Sequence, residues 1–247
     1  GADFVAKSTP DGHTLLLGTN TLAMNPSIFR QMPFDTEQDF APVAMLATTP
    51  FMVLVNPKLP VNSIPELIAY AKSHPGALSY ATPGIGTPHH LGTELFKTMT
   101  GTFMVHIAYR GSALALTDLA GGQVQVMWAT VNVALPLVKS GKLRGLAVAE
   151  PRRLPSLPDM PVVADALPGY EVSAWYAVFA PAATPGDIVQ QLSAELQRIY
   201  HLPDVKERLL PLGYEIATGS PEQLRSVIRS DLKKWAKVVK DAGIKSE

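Results

Sequence analysis

The amino-acid sequence predicts an α/β fold with a parallel sheet in the middle of the chain. Short apolar segments alternate with segments of helical period over residues 78–149, and glycines end the helices at Gly101, Gly121, Gly122 and Gly141. Of the 247 residues, 47% are hydrophobic and 17% are charged. This composition is typical of a globular protein with a large core, on a length that accommodates one or two domains.

The equal numbers of basic and acidic residues exclude attraction of nucleic acid or of an anionic membrane by the net charge of this chain. The chain has 21 basic and 21 acidic residues. Cysteine is absent, so disulfides, thiolate nucleophiles and cysteine metal sites are excluded as well.

The N-terminal quarter predicts a helix end followed by three strands. Residues Phe4–Lys7 have the composition of a helix end, and His13–Gly18 is a short apolar segment typical of a buried strand. The apolar stretch beyond residue 40 is divided at Pro50, so we expect two separate strands at Val43–Ala47 and Met52–Val55 rather than a membrane span. A fold that opens with half a helix is unusual, and we expect residues to be missing upstream of Gly1.

The segment Leu78–Phe96 changes from a strand to a helix across a glycine-containing turn. Thr87 is placed as the N-cap of the helix and Pro88 as its first residue, so the free N–H groups of the first turn face the loop. Gly84 and Gly86 allow a ligand to approach the backbone, and the helix dipole adds partial positive charge there. The segment therefore predicts a cradle for a carboxylate or phosphate, with an ordinary strand-to-helix connection as the alternative.

Two further loops are expected at the same edge of the sheet. In parallel sheets ligands bind outside the carboxyl ends of the strands, and three predicted strands end near residues 82, 109 and 128. The second loop repeats the glycine and N-cap pattern and adds the guanidinium of Arg110, which can bind a carboxylate in bidentate fashion. The three loops are Thr82–Pro88, Tyr109–Ser112 and Trp128–Asn132.

Other site chemistries are weakly supported. A dinucleotide fingerprint needs glycine where His89 stands, and no P-loop sequence is present. His90 and Glu94 lie four residues apart on the predicted helix, but a His-Glu-x-x-His metal motif is absent. The segment around Ser112 only half resembles a serine-hydrolase elbow, and no His and Asp partners can be assigned to it. We therefore expect neither a metal nor a cofactor.

The C-terminal part predicts a return crossing and three helices. The proline-rich segment 151–169 precedes an apolar strand at 172–180, and amphipathic helices follow from Thr184, from residue 203 and from the Ser220 cap. Prolines and glycines near residues 57 and 169 mark the predicted domain crossings. We expect residues 1–57 and 170–247 to form one discontinuous lobe and residues 58–169 to form the other.

Motifs along nearly the whole chain resemble those of the Bug-type receptors, the periplasmic solute-binding proteins of tripartite tricarboxylate transporters. They occur in the family's order and include the predicted cradle. The matching segments are Thr9–Leu16, Asn25-Pro26, Asp39–Val43, Gly84–Leu91, Glu94–Lys97, Tyr109–Gly111, Ala115–Leu119, Gly121–Val124, Gly141–Arg144, Leu146–Val148, Trp175-Tyr176 and Phe179–Pro181.

The resemblance implies a two-lobed, type II Venus-flytrap receptor that is periplasmic and monomeric and catalyses no reaction. It would bind a small carboxylate and deliver it to the membrane components of the transporter. A flytrap-type sensing domain for a small organic acid is the alternative, and an enzyme acting on a small acid is the third possibility. The ligand-binding residues predicted in this way are Thr82, Pro83, Gly84, Gly86, Thr87, Pro88, His89, Tyr109, Arg110, Gly111, Ala129, Thr19, Asn20, Trp175 and Tyr176.

Two departures from the family pattern affect these expectations. The family's first strand, its Pro-Gly-Gly-type loop and a second strand have no counterpart here, so we expect an incomplete first lobe. Many members also carry an acidic residue after the strand that here ends in Ala129 and Thr130. Without that carboxylate we expect a ligand that lacks an amino group.

Overall fold

The computed structural model describes residues 1–244, in which helices and strands alternate through most of the chain. Short 3-10 turns occur at Asn25–Ser27, Val163–Asp165 and Leu210–Leu212. The helices and strands, in chain order, are α1 (Ala2–Ala6), β1 (Leu16–Thr19), α2 (Thr21–Met24), β2 (Phe40–Val55), α3 (Ile64–Ser73), β3 (Ser79–Thr82), α4 (Pro88–Thr100), β4 (Val105–Ala108), α5 (Ser112–Gly121), β5 (Val126–Thr130), α6 (Val131–Lys139), β6 (Arg144–Val148), β7 (Ser173–Pro181), α7 (Gly186–Tyr200), α8 (Pro203–Leu209), β8 (Glu215–Gly219) and α9 (Pro221–Asp241).

The chain divides into two compact units. The first unit contains Gly1–Thr49 and Ala174–Lys237, and the second contains Pro50–Ser173 and Val238–Gly243. The predicted lobe limits were residues 57 and 169. The second half of β2 belongs to the second unit because its residues 51–55 pair with strands of that unit.

The sheet of the second unit has the order β4-β3-β5-β2-β6. Strand β3 pairs in parallel with β4 and with β5, as the alternating pattern predicts. Strand β6 runs in the same direction as β3, β4 and β5, but it does not pair with them, because β2 lies between β5 and β6 and is antiparallel to both. The apolar residues Met52–Val55 are fully buried, which suits a strand covered on both faces.

Strand β2 is a single strand of 16 residues rather than the two strands predicted around Pro50. Its residues 45–48 pair with β8, and its residues 51–55 pair with β5 and β6. Pro50 lies between these two sets of partners, where its missing N–H interrupts neither ladder. A proline at a change of partners is therefore compatible with a continuous strand.

The first unit contains elements that the sequence patterns did not predict. Strand β1 pairs with β7 in antiparallel register, and β8 pairs with the first half of β2. The helix at Phe4 is confirmed as α1, whereas α2 and β8 were not predicted. Strand β8 gives little signal because four of its five residues are only partly buried and no apolar alternation marks them.

Each unit has its own hydrophobic core. Trp128 is fully buried in the second unit, where its ring centroid lies 5.2 Å from that of Phe96. In the first unit, Trp235 is buried on α9. None of the helices in residues 1–244 combines the length and the apolar character needed to cross a membrane.

Asn56 joins the end of β2 to the end of α5, and its replacement should destabilise the second unit. The buried Asn56 amide donates to the carbonyl oxygens of Leu119 (2.7 Å) and Ala120 (3.1 Å) and accepts from the N–H of Lys58 (2.9 Å). We expect Asn56→Ala to lower the free energy of unfolding by about 2–3 kcal/mol, because the buried carbonyl of Leu119 and two partly buried groups lose their partner. Urea denaturation measures this change.

The matched control for Asn56 is Asn62→Ala. The Asn62 side chain is exposed, and within residues 1–244 it donates only to Glu66, at 3.3 Å. Its replacement should change stability by less than about 0.5 kcal/mol. Equal losses in the two variants would contradict the role assigned to Asn56.

Candidate functional site: a backbone cradle at the start of α4

The loop between β3 and α4 adopts a backbone shape that glycine makes possible. Gly84 has φ +152° and Gly86 has φ +75°, both in the range that side chains disfavour. Thr87 has extended backbone geometry and caps α4, with Pro88 as the first helical residue. The predicted N-cap and helix start are confirmed. We call residues Thr82–His89 the cradle.

Short polar contacts fix the cradle internally. The Thr82 hydroxyl donates to Gly84 O (3.2 Å) and accepts from Gly84 N–H (3.3 Å). The Thr87 hydroxyl also donates to Gly84 O (2.8 Å) and accepts from His90 N–H (3.4 Å). With both hydroxyls engaged within the loop, the groups available to a ligand are the backbone N–H groups at the helix start and the helix dipole.

Three N–H groups of the cradle remain available as donors. The N–H groups of Ile85, Thr87 and His89 take part in no hydrogen bond within residues 1–244. Pro88, the first residue of α4, has no N–H group and contributes no donor to the cradle. An anion at this position can be bound without a cationic side chain.

The side chain of His89 packs into the second unit. Its ring lies edge-on to Phe51, with centroids 4.8 Å apart. Burial lowers the pKa of His89 to about 4, so the ring is neutral near pH 7, and its Nδ1 is buried without a partner in the described part of the chain. His89 therefore offers its backbone to a ligand rather than a charged ring.

The loop after β4 lies beside the cradle. Tyr109 N–H donates to Thr82 O (2.9 Å), which extends the parallel pairing of β3 and β4 past the ends of both strands. The Tyr109 hydroxyl donates to Asp118 (2.8 Å), and desolvation together with this contact raises the pKa of Tyr109. Arg110 is exposed and takes part in none of the ion pairs found in residues 1–244, and Gly111 has φ +111° at the N-cap of α5.

The loop after β5 brings no acidic group to this edge. Ala129 is fully buried opposite Met52, and Thr130 is the N-cap residue of α6. Because β3 pairs in parallel with both β4 and β5, all three loops follow carboxyl ends of neighbouring strands. The structure therefore brings together the cradle, the Tyr109–Gly111 loop and Ala129 within the second unit.

Four predicted site residues belong to the first unit. Thr19 shares a hydroxyl hydrogen bond with Thr21 (2.8 Å), and Asn20 is almost fully buried. Trp175 is a core residue whose indole N–H donates to Asp231 (2.8 Å). Their assignment as ligand-binding residues, together with that of Tyr176, stays a prediction from the sequence.

A group of aromatic residues that the sequence analysis did not connect lies directly behind the cradle. The rings of Tyr80, His90 and His106 are nearly parallel, with centroids 4.8 Å apart for Tyr80 and His106 and 4.2 Å apart for His90 and His106. We call these three residues the ring cluster. The parallel register pairs Tyr80 with His106, so comparing equivalent positions of the two predicted strands would have brought these residues together.

A buried ion pair borders the ring cluster. Glu94 on α4 accepts a short hydrogen bond from the Tyr80 hydroxyl and forms an ion pair with Lys97 Nζ at 2.6 Å. The Lys97 ammonium also lies 5.3 Å from the centroid of the Tyr80 ring. No cluster of three or more His, Asp or Glu side chains suited to a metal occurs in residues 1–244.

A protein-family comparison matches residues 1–244 to a model described as "Tripartite tricarboxylate transporter family receptor". A UPF0065 protein of the tcbD-tcbE intergenic region of Pseudomonas sp. strain P51 is 36% identical over 241 residues, which are 97% of this chain and 72% of that protein. Protein BugT of Bordetella pertussis is 34% identical over 248 residues, covering 99% of this chain and 76% of BugT.

Solved structures with the same fold include two that hold a carboxylic acid. R. palustris Rpa4515 with adipate is 37% identical and has a TM-score of 0.89, with 100% of this chain and 83% of that chain covered. MatC of Rhodopseudomonas palustris with bound malate is 31% identical, with a TM-score of 0.83 and coverages of 96% and 83%. The periplasmic binding protein BugD has a TM-score of 0.87 at 30% identity, with coverages of 100% and 84%. The predicted α/β fold of the periplasmic-binding-protein type is confirmed.

Proposed function

The chain belongs to the tripartite tricarboxylate transporter receptor family, and from this premise we propose that it is a periplasmic receptor that binds a small carboxylate and delivers it to the membrane components of such a transporter. The observation that carries the proposal is the cradle at the start of α4. Its backbone is held in a shape that only glycine adopts easily, and its N–H groups and helix dipole suit a carboxylate.

The solved relatives support the same ligand class. Adipate and malate are bound in two structures that share more than 30% identity with this chain. Both are dicarboxylates, and in this chain a second acid group is accommodated by the exposed guanidinium of Arg110 on the neighbouring loop. The cradle then holds one carboxylate of the ligand and Arg110 the other.

The proposed receptor performs no chemistry on its ligand. The cradle presents backbone donors, its two hydroxyls are engaged with Gly84 O, and the pKa of His89 is too low for a general base near pH 7. Incubation with candidate acids should therefore return them unchanged. Turnover of any of them would support the enzyme alternative.

The absence of an acidic group after β5 favours ligands without an amino group. An ammonium that is desolvated in a binding site costs several kcal/mol unless a carboxylate or several acceptors pair with it. Ala129 and Thr130 supply no such partner in the second unit. We therefore propose a mono- or dicarboxylate, such as a small aliphatic or aromatic acid, rather than aspartate or glutamate.

Calorimetric titration of matched acids tests this specificity. Succinate is compared with aspartate and glutarate with glutamate, and adipate and malate are added as the acids bound by relatives. We expect the acid without an amino group to bind at least about tenfold more tightly in both pairs, the effect of roughly 1.4 kcal/mol. Tighter binding of both amino acids would contradict the proposed ligand class, and failure of every carboxylate to bind would contradict the receptor function.

A further inference from the structure

The ring cluster is connected to the cradle at two points. His106 Nε2 lies 2.6 Å from the Thr82 hydroxyl, the group that bonds to Gly84 at both its N–H and its carbonyl. His90 Nδ1 accepts a hydrogen bond from Gly86 N–H at 3.4 Å. His90 therefore contacts Gly86 directly, and His106 is connected to Gly84 through the Thr82 hydroxyl.

These contacts define the protonation of His90. Either group can donate the hydrogen bond between the Thr82 hydroxyl and His106 Nε2, according to the tautomer of His106. His90 Nδ1 accepts from Gly86 N–H, so this nitrogen carries no proton. The arrangement needs His90 neutral, because a protonated imidazole has no acceptor nitrogen.

The surroundings of the rings keep them neutral near pH 7. Burial, and after it the Lys97 ammonium, lowers the pKa of His90 to about 4. Burial lowers the pKa of His106 to about 4 as well, with His90 and Lys97 acting in the same direction and the Glu94 carboxylate opposing them. The titratable groups that face the two rings are thus Tyr80 from β3 and Glu94 and Lys97 from α4.

We propose that His90 and His106 are positioning residues that hold the cradle in its ligand-binding shape, with the ring stack fixing their orientation from behind. The proposal rests on the proposed carboxylate-binding function. Neither side chain needs to touch the ligand, because His90 fixes the direction of the Gly86 peptide and His106 fixes Thr82. A loop that already has its bound shape loses less conformational entropy when the ligand binds.

Four single substitutions separate hydrogen bonding from packing. His90→Phe and His106→Phe retain an aromatic ring in the stack but remove the polar nitrogen. His90→Asn places an oxygen near the Nδ1 position, and His106→Gln places an amide group, which can donate or accept, near the Nε2 position. We expect each phenylalanine variant to bind adipate, malate or succinate about five- to tenfold more weakly than wild type at pH 7.5, the effect of one hydrogen bond.

The conservative variants are expected to stay within about twofold of wild-type affinity, since they keep the hydrogen bond. The control is His74→Asn at the C-cap of α3, where an exposed histidine stacks on Tyr70 away from the ring cluster. It should bind as wild type does. If the phenylalanine variants bind as tightly as wild type, or the conservative variants bind as weakly as the phenylalanine ones, the positioning role is refuted.

The pH dependence of affinity provides a readout that packing alone does not move. Folding lowers the pKa of both rings from 6.5 to about 4, so the unfolded chain binds protons on these histidines first as the pH falls. The two neutral rings therefore make their full contribution to the free energy of unfolding above pH 6.5, and this contribution is lost as the pH falls towards about 4. Protonation of His90 near pH 4 also breaks its bond to Gly86. The affinity of wild type relative to the His90→Asn/His106→Gln double variant should therefore fall as the pH drops from 6 to 4.

Using this ratio removes the contribution of the ligand's own carboxyl groups, which titrate equally in both measurements. A ratio that stays constant over the whole range would overturn the proposal. Circular dichroism at each pH restricts the comparison to folded protein.

Hydrogen exchange of the Gly86 amide in the ligand-free protein separates this proposal from the proposed function. We expect the amide to exchange about five- to tenfold faster in His90→Phe than in wild type. Equal exchange in the two proteins overturns the positioning role whether or not a carboxylate binds. If wild type binds none of the three acids but the exchange rates differ, the proposed function fails while the structural support of the cradle by His90 is upheld.

Discussion

Replacing Gly86 with valine is expected to weaken carboxylate binding by roughly ten- to hundredfold, because a β-branched residue at positive φ carries about 1–3 kcal/mol of strain. Gly86 has φ +75°, and its N–H is bonded to His90. Relief of that strain requires rotation of the peptides on either side of the residue. The N–H groups that the cradle offers to an anion would then point elsewhere.

The control for Gly86 is Gly101→Val at the other end of the same helix. Gly101 has φ +62°, and an added Cβ there would meet nothing within 4 Å. Both variants should lose stability, but Gly101 lies about 20 Å from the cradle along α4, and its variant should bind almost as wild type does. His89→Ala should weaken binding less than Gly86→Val, because the His89 ring packs on Phe51.

Calorimetry on these three variants distinguishes backbone from side-chain recognition. A large loss of affinity in His89→Ala together with wild-type affinity in Gly86→Val would show that a side chain holds the ligand. Equal losses in the two glycine variants would show that affinity follows overall stability and not the geometry of the cradle.

Replacing Lys97 with methionine is expected to destabilise the protein by about 3 kcal/mol, because it leaves the Glu94 carboxylate buried without its cation. The exposed fractions of the two side chains are 14% for Lys97 and 8% for Glu94, so water replaces the missing ammonium poorly. The Tyr80 hydroxyl would remain the carboxylate's hydrogen-bond partner. Urea denaturation at pH 7.5 measures the loss.

A double variant and an exposed ion pair complete this experiment. Glu94→Gln combined with Lys97→Met removes both charges and should recover most of the lost stability. Lys7→Met breaks an ion pair with the same 2.6 Å separation, but there the exposed fractions are 68% and 41%, so the expected cost is below about 0.5 kcal/mol. Equal costs for Lys97→Met and Lys7→Met would contradict the importance of burial.

Local signals in the sequence predicted the start and end of α4 correctly. A threonine, a proline and a following glycine are sufficient to place a helix between Thr87 and Gly101, and the structure has both caps, with Gly101 in the left-handed conformation. Capping depends on residues that are neighbours along the chain, which a single sequence displays directly.

Contacts between distant segments were harder to predict. The position of β2 between β5 and β6 depends on pairing with a segment outside residues 78–149. The pattern of those residues alone favoured a purely parallel order. The ring cluster depends on the register of β3 and β4, which aligns residues 26 positions apart in the chain. Local propensity determines neither which strands pair with each other nor the register in which they pair.

The three tryptophans of the chain are divided between the two units, which makes each unit separately visible by fluorescence. Trp128 is buried in the second unit, whereas Trp175 and Trp235 are buried in the first. A Trp128→Phe protein therefore emits from the first unit alone, and a protein that keeps only Trp128 emits from the second alone. The melting of each unit can thus be followed in an intact chain without attaching a dye.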